Sequence, residues 1–181
     1  TLKQEAALWN MLNSARQPQL WEKLRSAYYA GRADAVQLVQ LIHGSGLLIY
    51  GMESKQPNNP DNVRCIGTLQ MYQRRDFATL VSTIGVLCRA WKGQHGAFAE
   101  FCVQGVFRVL YIYGRAVNVA RLEEVLAAHT PDQFIRDSNA LMGAFSSRGH
   151  PDTVAAMMVV KWYNARLAAK NRLASSKLGD A

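Results

Sequence analysis

Apolar residues recur at intervals of three and four along most of this chain, which is the pattern of helices with one buried face. The clearest stretch runs from Asp76 to Gly114 and predicts two consecutive helices. The first has one apolar face, made of Phe77, Leu80, Val81, Ile84, Leu87, Cys88 and Trp91. The second, from Ala97 to Tyr113, is apolar nearly all round, so we expect it to lie at the centre of the core.

The polar residues of that central helix form one narrow stripe. Glu100, Gln104 and Arg108 are spaced four apart and therefore share one side of the helix. We interpret the stripe as the solvent-facing seam of a nearly buried helix. The alternative is a buried acid and base that form a site.

Shorter amphipathic patterns predict helices on both sides of this pair. They cover residues 2–13, 18–31, 33–43, 67–75, 119–128, 131–145 and 151–173. Asp76 is placed to cap the first core helix, and Thr130 followed by Pro131 and Asp132 is a strong helix start. The apolar face of the last helix fades beyond Trp162, so we expect its end to project into solvent.

Two brief β-like runs, Leu47–Tyr50 and Val63–Ile66, flank a segment rich in proline and asparagine. They could pair as one short two-stranded hairpin near 47–66, although both are at the lower limit of strand length. The predicted fold class is therefore all-α, a single-domain bundle of about eight or nine helices over residues 1–181. Because the chain begins at Thr1 without an initiator methionine, we expect it to be a fragment of a longer protein.

The charge of the chain favours a polyanionic partner. Its 21 basic and 13 acidic residues give a formal net charge of +8, and residues 147–181 hold six basic residues against two acidic ones. Lysine and arginine bind phosphates with release of counterions, although solvated charge also keeps a protein soluble. The candidate nucleic-acid-binding residues are Arg74, Arg75, Lys161, Arg166, Lys170, Arg172 and Lys177. On a continuous last helix, Arg166 and Lys170 would share a face.

No residue pattern indicates catalysis. Cys65, Cys88 and Cys102 are far apart and lack the spacing of a zinc or iron site, so we interpret them as core residues of a protein in a reducing compartment, the cytoplasm. We expect the four histidines to be loop or capping residues. The longest apolar run is broken by polar residues well short of a membrane span. We therefore assign no catalytic residue, metal, cofactor or membrane segment.

Several short runs resemble a known family. Glu5-Ala6-Ala7-Leu8-Trp9 and Leu24-Arg25-Ser26-Ala27 before Gly31 resemble the segment that follows the ParB-like, sulfiredoxin-like nuclease domain in a group of plasmid, phage and bacterial proteins. Val63–Leu69, Ala90-Trp91 and Trp162-Tyr163-Asn164 before a basic tail resemble later landmarks of the same helical region. The sequence departs from the family at Arg32, where an acidic residue is usual.

The resemblance implies that this chain is the C-terminal helical region of such a protein, with an upstream ParB-like domain as a partner and the nucleotide chemistry of the family outside it. The implied function is a DNA-associated accessory module that binds nucleic acid mainly through basic phosphate contacts. The alternative is an oligomerisation or partner-docking domain without nucleic-acid contact, and self-association fits that alternative.

The loss of the apolar face beyond Trp162 also leads to a prediction about truncation. If the basic end of the last helix projects into solvent, cutting the chain after Trp162 should remove most of the affinity for DNA and leave the core folded. Intact protein should bind weakly and without sequence preference, with a log-log salt slope of roughly −3 to −4 if about four phosphates are neutralised.

Overall fold

The computed structural model describes residues 19–144 and 150–178. The described residues form eight α-helices and one two-stranded sheet. The helices are α1 Leu20–Tyr29, α2 Ala33–Gly44, α3 Ile66–Arg75, α4 Phe77–Trp91, α5 Glu100–Tyr113, α6 Val119–Ala127, α7 Pro131–Ala144 and α8 Pro151–Asn164. The all-α prediction is confirmed. The helix predicted over residues 2–13 lies outside the described residues.

The centre of the fold is the crossing of α5 and α8. A methyl group at Gly105 of α5 would lie 3.0 Å from the carbonyl oxygen of Ala155 in α8, so the two backbones meet at the glycine. Cys102, Val106 and Val109 of α5 are fully buried around this contact. Helix α4 packs against both α5 and α6, and α7 packs against α8. The prediction that the second core helix is central is therefore confirmed.

Three of the helices begin at a residue whose side chain caps the first turn. The backbone N–H and hydroxyl of Thr79 donate to the two carboxylate oxygens of Asp76, at 3.1 and 2.7 Å. These hydrogen bonds hold the pKa of Asp76 below its usual value. Asn118, which was not predicted as a cap, holds the start of α6 in the same way. The hydroxyl of Thr130, which was predicted as a cap, accepts from the N–H of Gln133 at 3.2 Å.

The two β-like runs do pair, but not as a hairpin. Strand β1, Leu48–Ile49, runs parallel to β2, Asn62–Val63. The hairpin prediction is wrong in direction because residues 50–61 do not form a tight turn. The chain turns at Gly51, whose φ is +88°, and then returns to the start of β1. A connection of about a dozen residues is what a parallel pair needs.

The polar stripe of α5 runs from the surface into the core. Glu100 is exposed and Gln104 is half-buried, but Arg108 is only 9% exposed. The interpretation as a solvent-facing seam is therefore wrong at Arg108. The reason is tertiary, because the first turn of α8 and the end of the described chain cover this residue.

The last helix ends nine residues earlier than the sequence pattern predicts, at Asn164 instead of Leu173. The helix stops because Ala165 adopts an extended backbone with ψ of 131°, and Arg166 follows in a left-handed conformation with φ of 63°. The chain then folds back onto the body, where Leu173 and Leu178 are buried. The expectation of an end that projects into solvent is therefore wrong, because these two leucines have apolar partners in the core.

We expect Gly105→Ala to lower the free energy of unfolding by about 1–3 kcal/mol, because the added methyl group forces α5 and α8 apart. Gly143→Ala is the matched control, since Gly143 is an exposed helical glycine with nothing within 4 Å of an added methyl group. That control should be neutral or stabilising by up to about 1 kcal/mol. Urea denaturation followed by circular dichroism measures both, and equal effects of the two substitutions would contradict the close crossing.

Candidate functional site

The candidate site is built by the terminal segment, defined as residues 165–178. Asn164, the last residue of α8, clamps this segment through two hydrogen bonds. Its amide nitrogen donates to the carbonyl oxygen of Leu173 and its amide oxygen accepts from the N–H of Leu173, both at 2.8 Å. The hydroxyl of Tyr113 donates to the carbonyl oxygen of Ala174 at 2.5 Å. The basic residues of the segment are therefore held near the body by contacts on either side of them.

The end of the terminal segment is held by a nearly buried guanidinium group. Arg108 donates from Nη1 to the carboxylate of Asp152 at 2.7 Å and from Nη2 to the carbonyl oxygen of Leu178 at 3.0 Å. Asp152 lies in the first turn of α8, where a negative charge also complements the helix dipole. A single side chain of α5 therefore links the start of α8 to the end of the described chain.

The C-terminus of α8 is capped by Arg121 from the neighbouring helix α6. Its Nε and Nη2 donate to the carbonyl oxygen of Tyr163 at 3.2 and 3.0 Å, and Nη2 also donates to that of Ala165 at 2.8 Å. The hydroxyl of Tyr163 accepts from the N–H of Asn118 at 3.0 Å. The last carbonyls of a helix lack partners within it and carry partial negative charge, so a guanidinium group is a suitable cap.

This arrangement leaves a concave cleft, which we call the terminal cleft, between the start of α6 and the terminal segment. Its volume is about 420 Å³, and its lining residues are Ala116, Asn118, Arg121, Tyr163, Leu167, Lys170, Asn171, Arg172 and Leu173. Three of these residues are cationic, and none of the described lining residues is acidic. The guanidinium of Arg172 is oriented by a 2.9 Å hydrogen bond from its Nε to the carbonyl oxygen of Leu167. A concave surface with this charge suits a phosphate group.

The terminal cleft brings together only some of the predicted site residues. Lys170 and Arg172 line it, whereas Lys161, Arg166 and Lys177 are exposed elsewhere on the surface. Arg166 and Lys170 do not share a helical face, because α8 ends before both of them. The prediction that they act as one helical pair is therefore wrong.

Arg121 is the lining residue that sequence reasoning missed. The helical pattern of residues 119–128 assigns it to the outward face with Glu123 and Glu124. Its partners are carbonyl oxygens more than forty positions later in the chain. No local signal in the sequence indicates that contact.

The remaining pair of predicted site residues, Arg74 and Arg75, lies at the end of α3 and does not line the terminal cleft. Both are exposed. The Nε of Arg74 donates to the carbonyl oxygen of Gln70 in its own helix at 3.1 Å. The guanidinium of Arg75 lies 4.4 Å from the ring centre of Tyr111 in α5.

A second pocket, of about 360 Å³, has no residue set that indicates catalysis. It lies between the loop before β2 and the loop before α5, and Arg64, Cys65, His95 and Glu100 are among its lining residues. Burial, together with the nearby carboxylate of Glu100, raises the pKa of the Cys65 thiol to about 12, so this thiol is protonated at neutral pH and is a poor nucleophile. Within residues 19–144 and 150–178, no group of three metal-ligating side chains comes together.

No family model, no curated protein and no solved structure matches this chain. The resemblance to ParB-like proteins therefore stays a prediction. In the part of the chain that the structure describes, no helix is long and apolar enough to cross a membrane.

Because the terminal segment packs against the core, a truncation after Trp162 would not test the basic charges alone. Such a truncation deletes Leu173 and Leu178 from the core and removes one partner of Arg108. We now expect it to destabilise the protein as well as to remove charge. Point substitutions in the terminal segment separate the two effects.

We expect Asn164→Ala to loosen the terminal segment, because it removes both hydrogen bonds to Leu173. The loss of two hydrogen bonds, at about 0.5–1.5 kcal/mol each, should raise the population of locally open molecules by at least about fivefold. Limited digestion with trypsin, which cleaves after Lys170 and Arg172, measures this population. Asn171→Ala is the control, since the side chain of Asn171 makes no hydrogen bond among the described residues. Equal cleavage rates for the two variants would contradict the clamp.

Proposed function

We propose that this chain is a helical module that binds nucleic acid through its phosphate groups, as the accessory part of a ParB-like, DNA-associated protein. The observation that carries the proposal is the terminal cleft, in which Arg121, Lys170 and Arg172 surround a concave space with no acidic residue in its described lining. The net charge of +8 adds a long-range attraction for polyanions.

The three cations of the terminal cleft have different degrees of freedom, and this supports binding of a chain of phosphates. Arg121 is held by three hydrogen bonds to carbonyl oxygens, so it offers a fixed positive charge in the lining of the cleft. Arg172 is oriented by its hydrogen bond to Leu167, whereas Lys170 is exposed on a short 3-10 turn, where its side chain can adjust. Fixed charges set the register of a phosphate, and an adjustable charge accommodates its neighbours.

Phosphate contacts carry no sequence information by themselves, so the proposed binding is insensitive to sequence. Lys161, Arg166 and Lys177 are exposed outside the terminal cleft and contribute to the attraction without forming the site. We assign no catalytic residue to this function, and the proposed partners are DNA and an upstream ParB-like domain.

A second candidate function, partner docking or self-association, is favoured by an exposed apolar face. Leu20 of α1 and Met71 of α3 are both exposed. A side-chain methyl group of Leu20 lies 3.1 Å from where a methyl group at Gly67 would be, and Gly67 is one helical turn before Met71. This face fits an apolar partner surface.

The main proposal predicts that replacing Lys170 and Arg172 together by glutamine weakens duplex DNA binding by about tenfold at moderate salt. The magnitude of the log-log salt slope should fall by about 2, because two phosphate contacts are lost. Fluorescence anisotropy at a series of salt concentrations measures both quantities. The melting temperature should change little, since exposed charges contribute little to stability.

The matched control is the double substitution Lys23→Gln and Lys55→Gln, which removes the same charge from exposed positions outside the terminal cleft. This control should lower the affinity for duplex DNA only slightly, and the log-log salt slope should keep most of its wild-type magnitude. Equal losses for the two double variants would mean that net charge alone drives binding and that the terminal cleft is not the site.

The second candidate predicts that the protein forms a dimer whose stability rises with salt, because two chains of charge +8 repel each other at low salt. Sedimentation velocity measures the dimer fraction. Leu20→Ser with Met71→Ser should reduce it, whereas Val81→Ser, at an exposed apolar position on α4, should not. A monomer at every salt concentration would rule out self-association.

A further inference from the structure

Three aromatic rings form a stack that runs from the core to the surface. The rings of Tyr72 and Phe107 are parallel within 3°, with their centres 3.8 Å apart. Tyr111 continues the stack, at 5.8 Å and 11° from Phe107. Tyr72 and Phe107 are buried, but Tyr111 is 40% exposed. The outermost ring is therefore a surface aromatic whose orientation is set by the two rings beneath it.

The exposed end of this stack carries a cation. Arg75 is exposed, and its guanidinium carbon lies over the ring of Tyr111 at 4.4 Å from the ring centre. This geometry is that of a cation–π pair, which holds both side chains in place. Because the Tyr111 ring stacks on Phe107 and Arg75 lies over it, the ordered guanidinium group is the outermost layer, on which another planar group can stack with little loss of side-chain entropy.

The stack lies next to the far end of the terminal segment. Arg75 and Tyr111 line a narrow cleft together with Arg108, which also binds the carbonyl oxygen of Leu178. Four residues before Leu178, the segment is held at Ala174 by Tyr113. Arg108 and Tyr113 are five residues apart on α5, or about 7.5 Å along its axis. The terminal segment therefore leads from the terminal cleft to Arg108, which lines the same narrow cleft as Arg75 and Tyr111.

We propose that Arg75 and Tyr111 form a stacking platform for an unpaired nucleobase, so that the preferred ligand is single-stranded nucleic acid. This inference rests on the proposed function, and it names the substrate class. In a duplex both faces of each base are covered by its neighbours, whereas an unpaired base is free to stack on aromatic rings and guanidinium planes. The cations of the terminal segment then bind the phosphates of the same strand.

The test compares two probes that differ only in their bases. One is a labelled oligothymidylate of about 12 nucleotides, within the range of site sizes of single-strand-binding folds. The other is a strand of equal length with abasic residues throughout. Fluorescence anisotropy with the intact 181-residue chain measures the affinity for each probe and for a duplex of the same length. Wild-type protein should bind the thymidylate most tightly.

Tyr111→Ala should lower the affinity for the thymidylate strand by about tenfold or more and leave the affinity for the abasic strand unchanged, because only the stacking contact is lost. Tyr111→Phe should retain the wild-type affinity. Tyr29→Ala is the matched control: Tyr29 is 72% exposed and also lies under an arginine, with the guanidinium of Arg25 at 5.8 Å. This control should have no effect on either probe.

Two results would overturn the platform. The first is an equal loss on both probes after Tyr111→Ala, which would assign Tyr111 to backbone contacts or to folding. The second is an unchanged affinity for the thymidylate after Tyr111→Ala, which would mean that the surface stack does not bind bases and instead fits a protein partner. Tyr111→Leu keeps an apolar contact with Phe107 without a ring, so the same comparison can be made if the alanine variant melts at a lower temperature.

The experiment also separates this inference from the proposed function. Lys170→Gln with Arg172→Gln should lower the affinity for both probes equally, since both carry phosphates. If that loss occurs while Tyr111→Ala has no effect, the phosphate site stands and the platform is wrong. If wild-type protein binds none of the three probes at low salt, both proposals are wrong.

Discussion

The close crossing of α5 and α8 at Gly105 is the constraint on which the rest of the structure depends. Because the glycine allows the two backbones to meet, Asp152 in the first turn of α8 comes within hydrogen-bonding distance of Arg108 on α5. The same crossing carries the last turn of α8 to Arg121 of α6. A wider spacing between the two helices would move both ends of α8 away from the side chains that bind them.

The two ends of α8 in turn set the path of the terminal segment. At the C-terminal end, Arg121 binds the last carbonyl oxygens, and the backbone of Arg166 then adopts a left-handed conformation that is unfavourable for a residue with a side chain. The Asn164 clamp and the burial of Leu173 offset that cost. Cations that would otherwise follow one helix into solvent therefore lie on and beside a turn, where Lys170 and Arg172 line the same cleft as Arg121.

The two proposals use this geometry in complementary ways. Phosphate contacts in the terminal cleft would supply affinity that depends on salt, and the stack that ends at Tyr111 would supply a contact that depends on unpaired bases. The terminal cleft follows from the folding back of the terminal segment, whereas the stack follows from the packing of α3 against α5. The exposed face at Leu20 and Met71 lies apart from the terminal cleft and fits a protein partner better than a polyanion.

Local patterns in the sequence were sufficient to predict the helices of the described chain, the start of α4 at Asp76 and the central position of α5. Each of these features depends on side chains within a few positions of one another. Charge alone also identified Lys170 and Arg172 as candidate nucleic-acid-binding residues, and both line the terminal cleft. The tertiary structure decided the parallel pairing of β1 with β2, the burial of Arg108, the end of α8 and the part that Arg121 takes in the terminal cleft. The physical reason is the same in each case: the partner groups lie many positions away in the chain, and only packing of the helices brings them into contact.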